Sequence, residues 1–187
     1  MNGRQYQQTQ QGAVVWVTGL SGSGKTTLCR AIRELMQPQR AGIILLDGDI
    51  VREAFGEDLG YTLADRRTQL RRLQGLARLL AEQGLLVLVA AVYADPEILA
   101  RNRERLPGYV EVYLESSLDA LRRRDTKGLY ARAARGEIRD VVGVDLPWLP
   151  PAHPDLVFNT DRHEDPREMA RLVIAAMPGL RDLVWTP

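Results

Sequence analysis

Cysteine is almost absent from this chain: Cys29 stands alone among 187 residues. An internal disulfide is therefore impossible and a cysteine-built metal centre is excluded. That usage fits a reducing compartment, and a cytoplasmic location is the expectation. Histidine is scarce as well. His153 and His163 are the only two, and both stand in Pro- and Asp-rich stretches, where they read as solvated loop residues rather than bases or metal ligands. Charge excess is lacking too, since 25 basic residues face 24 acidic ones for a net charge of +1. No global field attracts nucleic acid or an anionic membrane, and neither is an expected partner. Long apolar runs are missing: the longest, Leu85 to Val92, is far too short to span a bilayer. The Gln-rich segment Met1–Gly12 has no hydrophobic stretch of the kind a signal peptide needs. It reads as a flexible polar tail, and residues 179–187 read as a C-terminal tail.

What is present is a 45% hydrophobic chain, enough for one compact domain over residues 13–178. Short apolar runs at Ala13–Thr18, Ile43–Leu46, Leu85–Val92, Tyr109–Leu114 and Leu156–Phe158 have the Val, Leu and Ile content of strands covered on both faces. Helical patterns separate them at Lys25–Met36, Ile50–Ala54, Ala64–Gln83, Pro96–Arg105 and Leu118–Arg124. In the longest of these, Leu70, Leu73, Leu76, Ala77 and Leu80 share one face, and Gly84 stands at the C-terminal cap. A last helix is predicted over Pro166–Met177, with Asp165 as N-cap and Pro at the first position. The alternation predicts an α/β, three-layer fold with a central parallel sheet of about five strands. The Gly-, Arg- and Pro-containing stretch from Thr126 to Pro151 breaks the rhythm and reads as a mobile lid.

Gly19-Leu20-Ser21-Gly22-Ser23-Gly24-Lys25-Thr26 fits G-x-x-x-x-G-K-[ST] between a predicted strand and a predicted helix. Glycines let consecutive backbone N–H groups turn inward around a phosphate, and the helix start adds partial positive charge. Gly19, Ser21, Gly22, Ser23, Gly24, Lys25, Thr26 and Thr27 are the candidate ATP-binding residues. Lys25 places its charge on the β- and γ-phosphates, and the Thr26 hydroxyl can ligate Mg²⁺.

The second strand runs into Leu46-Asp47-Gly48-Asp49, at the strand ends where open α/β sheets bind ligands. One carboxylate there can hold hydrated Mg²⁺ while the other orients or deprotonates an attacking hydroxyl. Asp49 is the better candidate for catalysis, because Asp47 can also cap the following helix. Arg52, Arg66, Arg71 and Arg72 follow. Their guanidinium groups suit a second, polyanionic substrate, with a solvated helix face as the plainer reading for Arg71 and Arg72.

With these residues in place the chain resembles the adenylyl-sulfate kinase family. The resemblance rests on the phosphate loop, on Asp47-Gly48-Asp49 with Arg52, and on Asp58-Leu59-Gly60-Tyr61 with Asp65-Arg66. It continues through Arg71-Arg72, Glu111-Val112-Tyr113, Arg124-Asp125-Thr126-Lys127-Gly128-Leu129-Tyr130 and Ala134-Arg135-Gly136-Glu137-Ile138. Gly143-Val144-Asp145 and Pro154-Asp155-Leu156 close the match. It implies a fold of the P-loop NTPase, nucleoside-kinase type and transfer of the ATP γ-phosphoryl group to the 3′-hydroxyl of adenylyl sulfate (APS), giving PAPS, with Mg²⁺ as cofactor, small nucleotides as partners and a homodimer as the assembly.

By the same resemblance Lys25, Asp47 and Asp49 are catalytic, with Asp49 at the hydroxyl and at the hydrated magnesium. Arg52 and Arg66 contact the acceptor's phosphosulfate and Tyr61 stacks on its adenine, with Gln69 and Val141 in the same pocket. Arg124, Lys127, Arg132 and Arg135 belong to the lid and close over the phosphates, with Lys127 also among the acceptor-binding residues. The family has Asn where Gln69 stands, Ser-Pro at Tyr93-Ala94 and Phe-Thr-Gly at Val141-Val142-Gly143. These departures bear on the acceptor base and leaving group, not on the reaction type. Trp148 is a candidate substitute aromatic face, beside its plainer reading as a core or surface residue. A related acceptor, cytidine diphosphoramidate, stays open as an alternative. So does a nucleotide-binding protein without kinase turnover.

Overall fold

The structure is a computed structural model and describes residues 12–56, 58–125, 127–162 and 165–178. Both expected tails, apart from Gly12, lie outside the described residues, as do Thr126 and His163.

Five parallel strands, β1 (Ala13–Thr18), β2 (Ile43–Asp47), β3 (Leu86–Ala91), β4 (Val110–Glu115) and β5 (Leu156–Asn159), form one sheet in the order β2-β3-β1-β4-β5. The centre of the sheet explains the composition of β1. Successive side chains of a strand point to opposite faces, so Ala13, Val15 and Val17 enter one core while Val14 and Trp16 enter the other. All six β1 residues are buried.

Helices α1 (Lys25–Met36) and α7 (Pro166–Ala176) cover the first face, where Leu28, Ile32 and Met36 meet Val173 and Ile174. Cys29 lies in that layer, its thiol pushed up to about 12 by burial, which leaves it unreactive. Helices α3 (Leu63–Ala81) and α4 (Pro96–Arg105) cover the second face through Leu70, Leu73, Ala77, Ile98 and Leu99.

The helix boundaries follow local chemistry. Helix α2 (Gly48–Ala54) begins two residues before its apolar pattern because Asp47 caps it, accepting from the Asp49 N–H at 3.0 Å. Thr62 and Asp65 close a reciprocal capping box at the start of α3; each such arrangement satisfies two otherwise orphaned N–H groups. That helix ends at Ala81, earlier than its periodicity predicts. Gly84 takes its positive φ of 87° in the turn beyond. Asp95 and Asp165 cap α4 and α7, each followed by Pro at the first helical position.

The stretch that reads as a mobile lid contains a short helix, α6 (Leu129–Ala134), after α5 (Leu118–Arg124). The Asp125 carboxylate organises its start by accepting from the N–H groups of Tyr130 and Ala131 at 3.1 and 2.8 Å. Beyond α6, Val141 and Val142 are buried against Leu20, Leu121 and Tyr130 in a third small core. Among the described residues no helix is long and apolar enough to cross a membrane.

Candidate active site

The C-terminal ends of β1, β2 and β3 open into a single cleft of about 330 Å³. Its floor is the loop from Gly19 to Gly24. The first glycine is required by close approach: a Cβ at Gly19 would stand 2.6 Å from the Leu114 carbonyl oxygen and 2.7 Å from Ser23 Oγ. At the other end Gly24 adopts a φ of 97° to launch α1. Ser21, Gly22, Gly24, Thr26 and Thr27 line the cleft, whereas Ser23 is buried beneath it and its Oγ has no hydrogen-bond partner among the described residues.

Lys25 is nearly inaccessible, and its Nζ donates to the Leu20 carbonyl at 2.7 Å. Burial pulls this ammonium down to about 8, opposed by the nearby Asp49 and Asp47 carboxylates. A polyphosphate entering the loop supplies the negative charge that the buried ammonium lacks.

Across the cleft, Asp47 does two jobs. One oxygen caps α2, and the other accepts from the Thr26 hydroxyl at 2.5 Å. The capping role and the cleft role expected of this residue are therefore compatible. Asp49 projects from the first turn of α2 with its side chain 65% exposed, and it accepts from Lys127 Nζ at 2.8 Å.

The far end of the cleft is built around Tyr61. Arg52 lies 4.7 Å and Arg66 5.5 Å from its ring centroid, in reach of the attraction between a guanidinium and an aromatic face. Arg52 donates to the carbonyls of Leu59 and Gly60 at 3.0 and 2.7 Å. Arg66 donates to the carbonyls of Tyr61 and Asp140 at 3.0 and 2.6 Å, joining α3 to the segment beyond α6. Burial first, and the neighbouring Arg52 second, hold the Arg66 guanidinium below the ordinary arginine range. This corner of the cleft therefore gains from an anionic ligand. Gln69 is buried beside it, its Nε2 donating to the Gly48 carbonyl at 3.0 Å.

Asp47, Asp49, Arg52, Tyr61, Arg66, Gln69 and Lys127 thus join the phosphate loop around one cavity. Other residues do not join it. Val141 is absent from the cleft wall because its side chain is packed under the phosphate loop. Arg132 and Arg135 both pair with Glu137 on the surface. Arg124 turns to the opposite side of the phosphate loop and donates to the Thr160 carbonyl. There it lines a second hollow, of about 370 Å³, with Gly24, Thr27, Thr160, Asp165 and Pro166.

Sequence reasoning missed that hollow, although the Asp-Pro start of α7 was a signal for one of its walls. It also missed Tyr130, whose hydroxyl donates to the Ser21 carbonyl at 2.8 Å and clasps the phosphate loop to α6. Tyr93 lines the cleft. Trp148 packs instead against the Tyr113 ring, at 6.0 Å between centroids, and its Nε1 donates to the Tyr113 hydroxyl at 3.4 Å.

The profile of the adenylylsulphate kinase family matches residues 11–159, most of the chain. The chain belongs to the adenylyl-sulfate kinase family. Among the most similar relatives is the adenylyl-sulfate kinase of Chloroflexus aurantiacus, 45% identical over 167 residues, with 89% of this chain and 90% of the relative covered. The enzyme of that name from Deinococcus deserti is 44% identical over 151 residues, covering 81% and 83%. The Mycobacterium tuberculosis APS kinase, solved in complex with AMPPNP and APS, superposes with a TM-score of 0.82 at 38% identity, covering 89% of this chain and 97% of that one. These likenesses span both ends of the cleft, from the phosphate loop to the Arg66 corner.

Proposed function

We propose that this chain phosphorylates the 3′-hydroxyl of adenylyl sulfate at the expense of ATP, in the cleft described. The observation that supports this reading most directly is that one cavity joins a phosphate loop, a carboxylate pair and two arginines gathered around an aromatic ring. The phosphate loop and Lys25 would hold the ATP polyphosphate. The hollow between Arg124 and Pro166, on the other side of the same loop, would take the ATP base. Arg52 and Arg66 would bind the acceptor's anionic anhydride, with its base against Tyr61.

In-line phosphoryl transfer asks mainly for positioning and charge neutralisation. Asp49 would align the acceptor hydroxyl and accept its proton once Lys127 turns to the phosphates, while Lys25 and Lys127 hold positive charge where the migrating group passes. Hard oxygen donors at Thr26, Asp47 and Asp49 suit Mg²⁺, which keeps several waters and takes only one or two carboxylates with the phosphates. When bound, the ion would neutralise charge on the β- and γ-phosphate oxygens. The segment from Lys127 to Pro151 would close over the phosphates and exclude water. A cytoplasmic location and a homodimer belong to the same reading.

A second acceptor is favoured by one observation: Val141 lies buried away from the cleft, so Tyr61 and Tyr93 are its aromatic lining. Incubation with Mg·ATP and either APS or cytidine diphosphoramidate, following ADP and phosphorylated acceptor separately, decides between them. Efficient PAPS formation is the expected result. Turnover of the cytidine compound without APS activity would reassign the acceptor. ADP release with neither product would remove the kinase reading.

A further inference from the structure

Arg72 does not line the cleft, yet it touches three of the pieces that shape its acceptor end. It stands on α3 with its side chain only 17% exposed. Its two terminal nitrogens straddle the Asp58 carboxylate, Nη2 at 2.6 Å from one oxygen and Nη1 at 3.3 Å from the other. Nη1 also donates to Gln69 Oε1 at 3.3 Å. The guanidinium carbon lies 4.4 Å from the centroid of the Phe55 ring, at the C-terminal end of α2.

Each contact leads to a functional group. Asp58 opens the short irregular stretch that Arg52 grips at Leu59 and Gly60 and that ends in Tyr61. Gln69 passes the constraint on to the Gly48 carbonyl, the peptide unit between Asp47 and Asp49. Phe55 closes the helix that carries Asp49 and Arg52. A planar, five-donor group can meet a carboxylate edge-on, an amide oxygen and a ring together. A lysine ammonium is a point charge and can hold the carboxylate alone.

We propose that Arg72 is a positioning residue of the acceptor site, setting the Asp58–Tyr61 stretch and the Asp47-Gly48-Asp49 turn in register without touching either nucleotide. This rests on the acceptor reading given above. The rival is an ordinary surface ion pair, which contributes little to anything beyond stability. The Arg72–Asp58 pair does hold the Asp58 carboxyl below its ordinary range, but a plain ion pair would do the same.

The test compares wild type with Arg72→Lys, Asp58→Asn and the double variant. Arg72→Lys is expected to raise the acceptor KM about tenfold and to lower kcat, leaving the ATP KM within about twofold and Tm nearly unchanged. The double variant should be no worse than the poorer single one, because both act through one linkage. Wild-type acceptor KM and kcat in Arg72→Lys would overturn the proposal. So would equal losses for ATP and acceptor accompanied by a lowered Tm.

Hydrogen exchange on the ligand-free protein separates this proposal from the identity of the acceptor. Faster exchange confined to residues 48–50 and 58–61 in Arg72→Lys supports the positioning role even if APS is not turned over. Unaltered exchange there overturns it even if APS is turned over by the wild type.

Discussion

Lys127 Nζ donates to Asp49 Oδ2 at 2.8 Å, so the residue just past α5 is tied to the carboxylate proposed to meet an attacking hydroxyl. Both side chains are about two-thirds exposed, and an ion pair so well solvated adds little to stability. Its value is in what it releases. Asp49 holds the Lys127 ammonium above its ordinary range, and phosphates that draw it away would favour the charged form in its place. Lys127→Met should therefore leave Tm unchanged and cut kcat by about tenfold or more. Thermal melting beside steady-state kinetics checks both halves, and wild-type kcat would remove Lys127 from the mechanism.

Asp49→Asn keeps the shape of the side chain and takes away its charge. Loss of a positioned proton acceptor typically costs about 10²–10⁴ in rate, and a decrease in that range is expected for acceptor phosphorylation. Nucleotide affinity, set mainly by the phosphate loop, should change little. Single-turnover transfer and ATP titration measure these separately, and near-normal turnover would end the role given to Asp49.

The Lys25 ammonium titrates near 8 in the ligand-free protein, lowered chiefly by burial. Bound triphosphate favours the charged form, so binding must take up a proton at and above that pH. ATP affinity is expected to hold up to about pH 8 and then to fall, approaching about tenfold per further pH unit. Calorimetry in two buffers of different ionisation enthalpy reads the proton uptake directly. A pH-independent affinity between pH 7 and 9 would contradict the placement of Lys25.

At the other end of the sheet, Glu111 is buried at the start of β4, where it accepts from the Tyr109 hydroxyl at 2.9 Å. Burial raises its carboxyl above the ordinary value of 4.5. A raised folded value favours the protonated form, so this stability is complete below about pH 4.5 and is lost as pH rises through the folded value. Glu111→Gln, which mimics the protonated acid, should raise Tm at pH 7. The gain should shrink toward zero as pH falls below 4.5, and melting curves across that range test the sign.

Much of this was legible in the sequence because it depends on local chemistry. The phosphate loop needs glycines at fixed offsets, and the parallel strands need continuous apolar runs; both read directly. Asp47, Asp49 and Arg52 follow the end of β2 within two turns of helix, so placing the strand placed them. The segment after α5 did not read this way. Whether Arg124 faces the cleft or the hollow behind the phosphate loop depends on where Thr160 docks, which no local pattern encodes. Only the family resemblance points Val141 to the acceptor pocket, and its burial depends on Leu20, Leu121 and Tyr130 converging on it from other parts of the chain. Helix α6 has only six residues, too few for a periodic signal to outweigh its flanking glycines.

The order of strands also governs how the chain can be made. Strand β1 comes first, but β2 lies on the far side of β3 and does not touch it; its neighbours are β3 and β4. During synthesis the segment Ala-Val-Val-Trp-Val-Thr therefore emerges with both edges unpaired, and stays so until much of the chain has followed. Apolar, charge-free strands in that condition are the ones that seek partners in other molecules. The placement that sets the phosphate loop at the middle of the sheet thus makes β1, the earliest of these five strands to be synthesised, the one that waits longest for its partners.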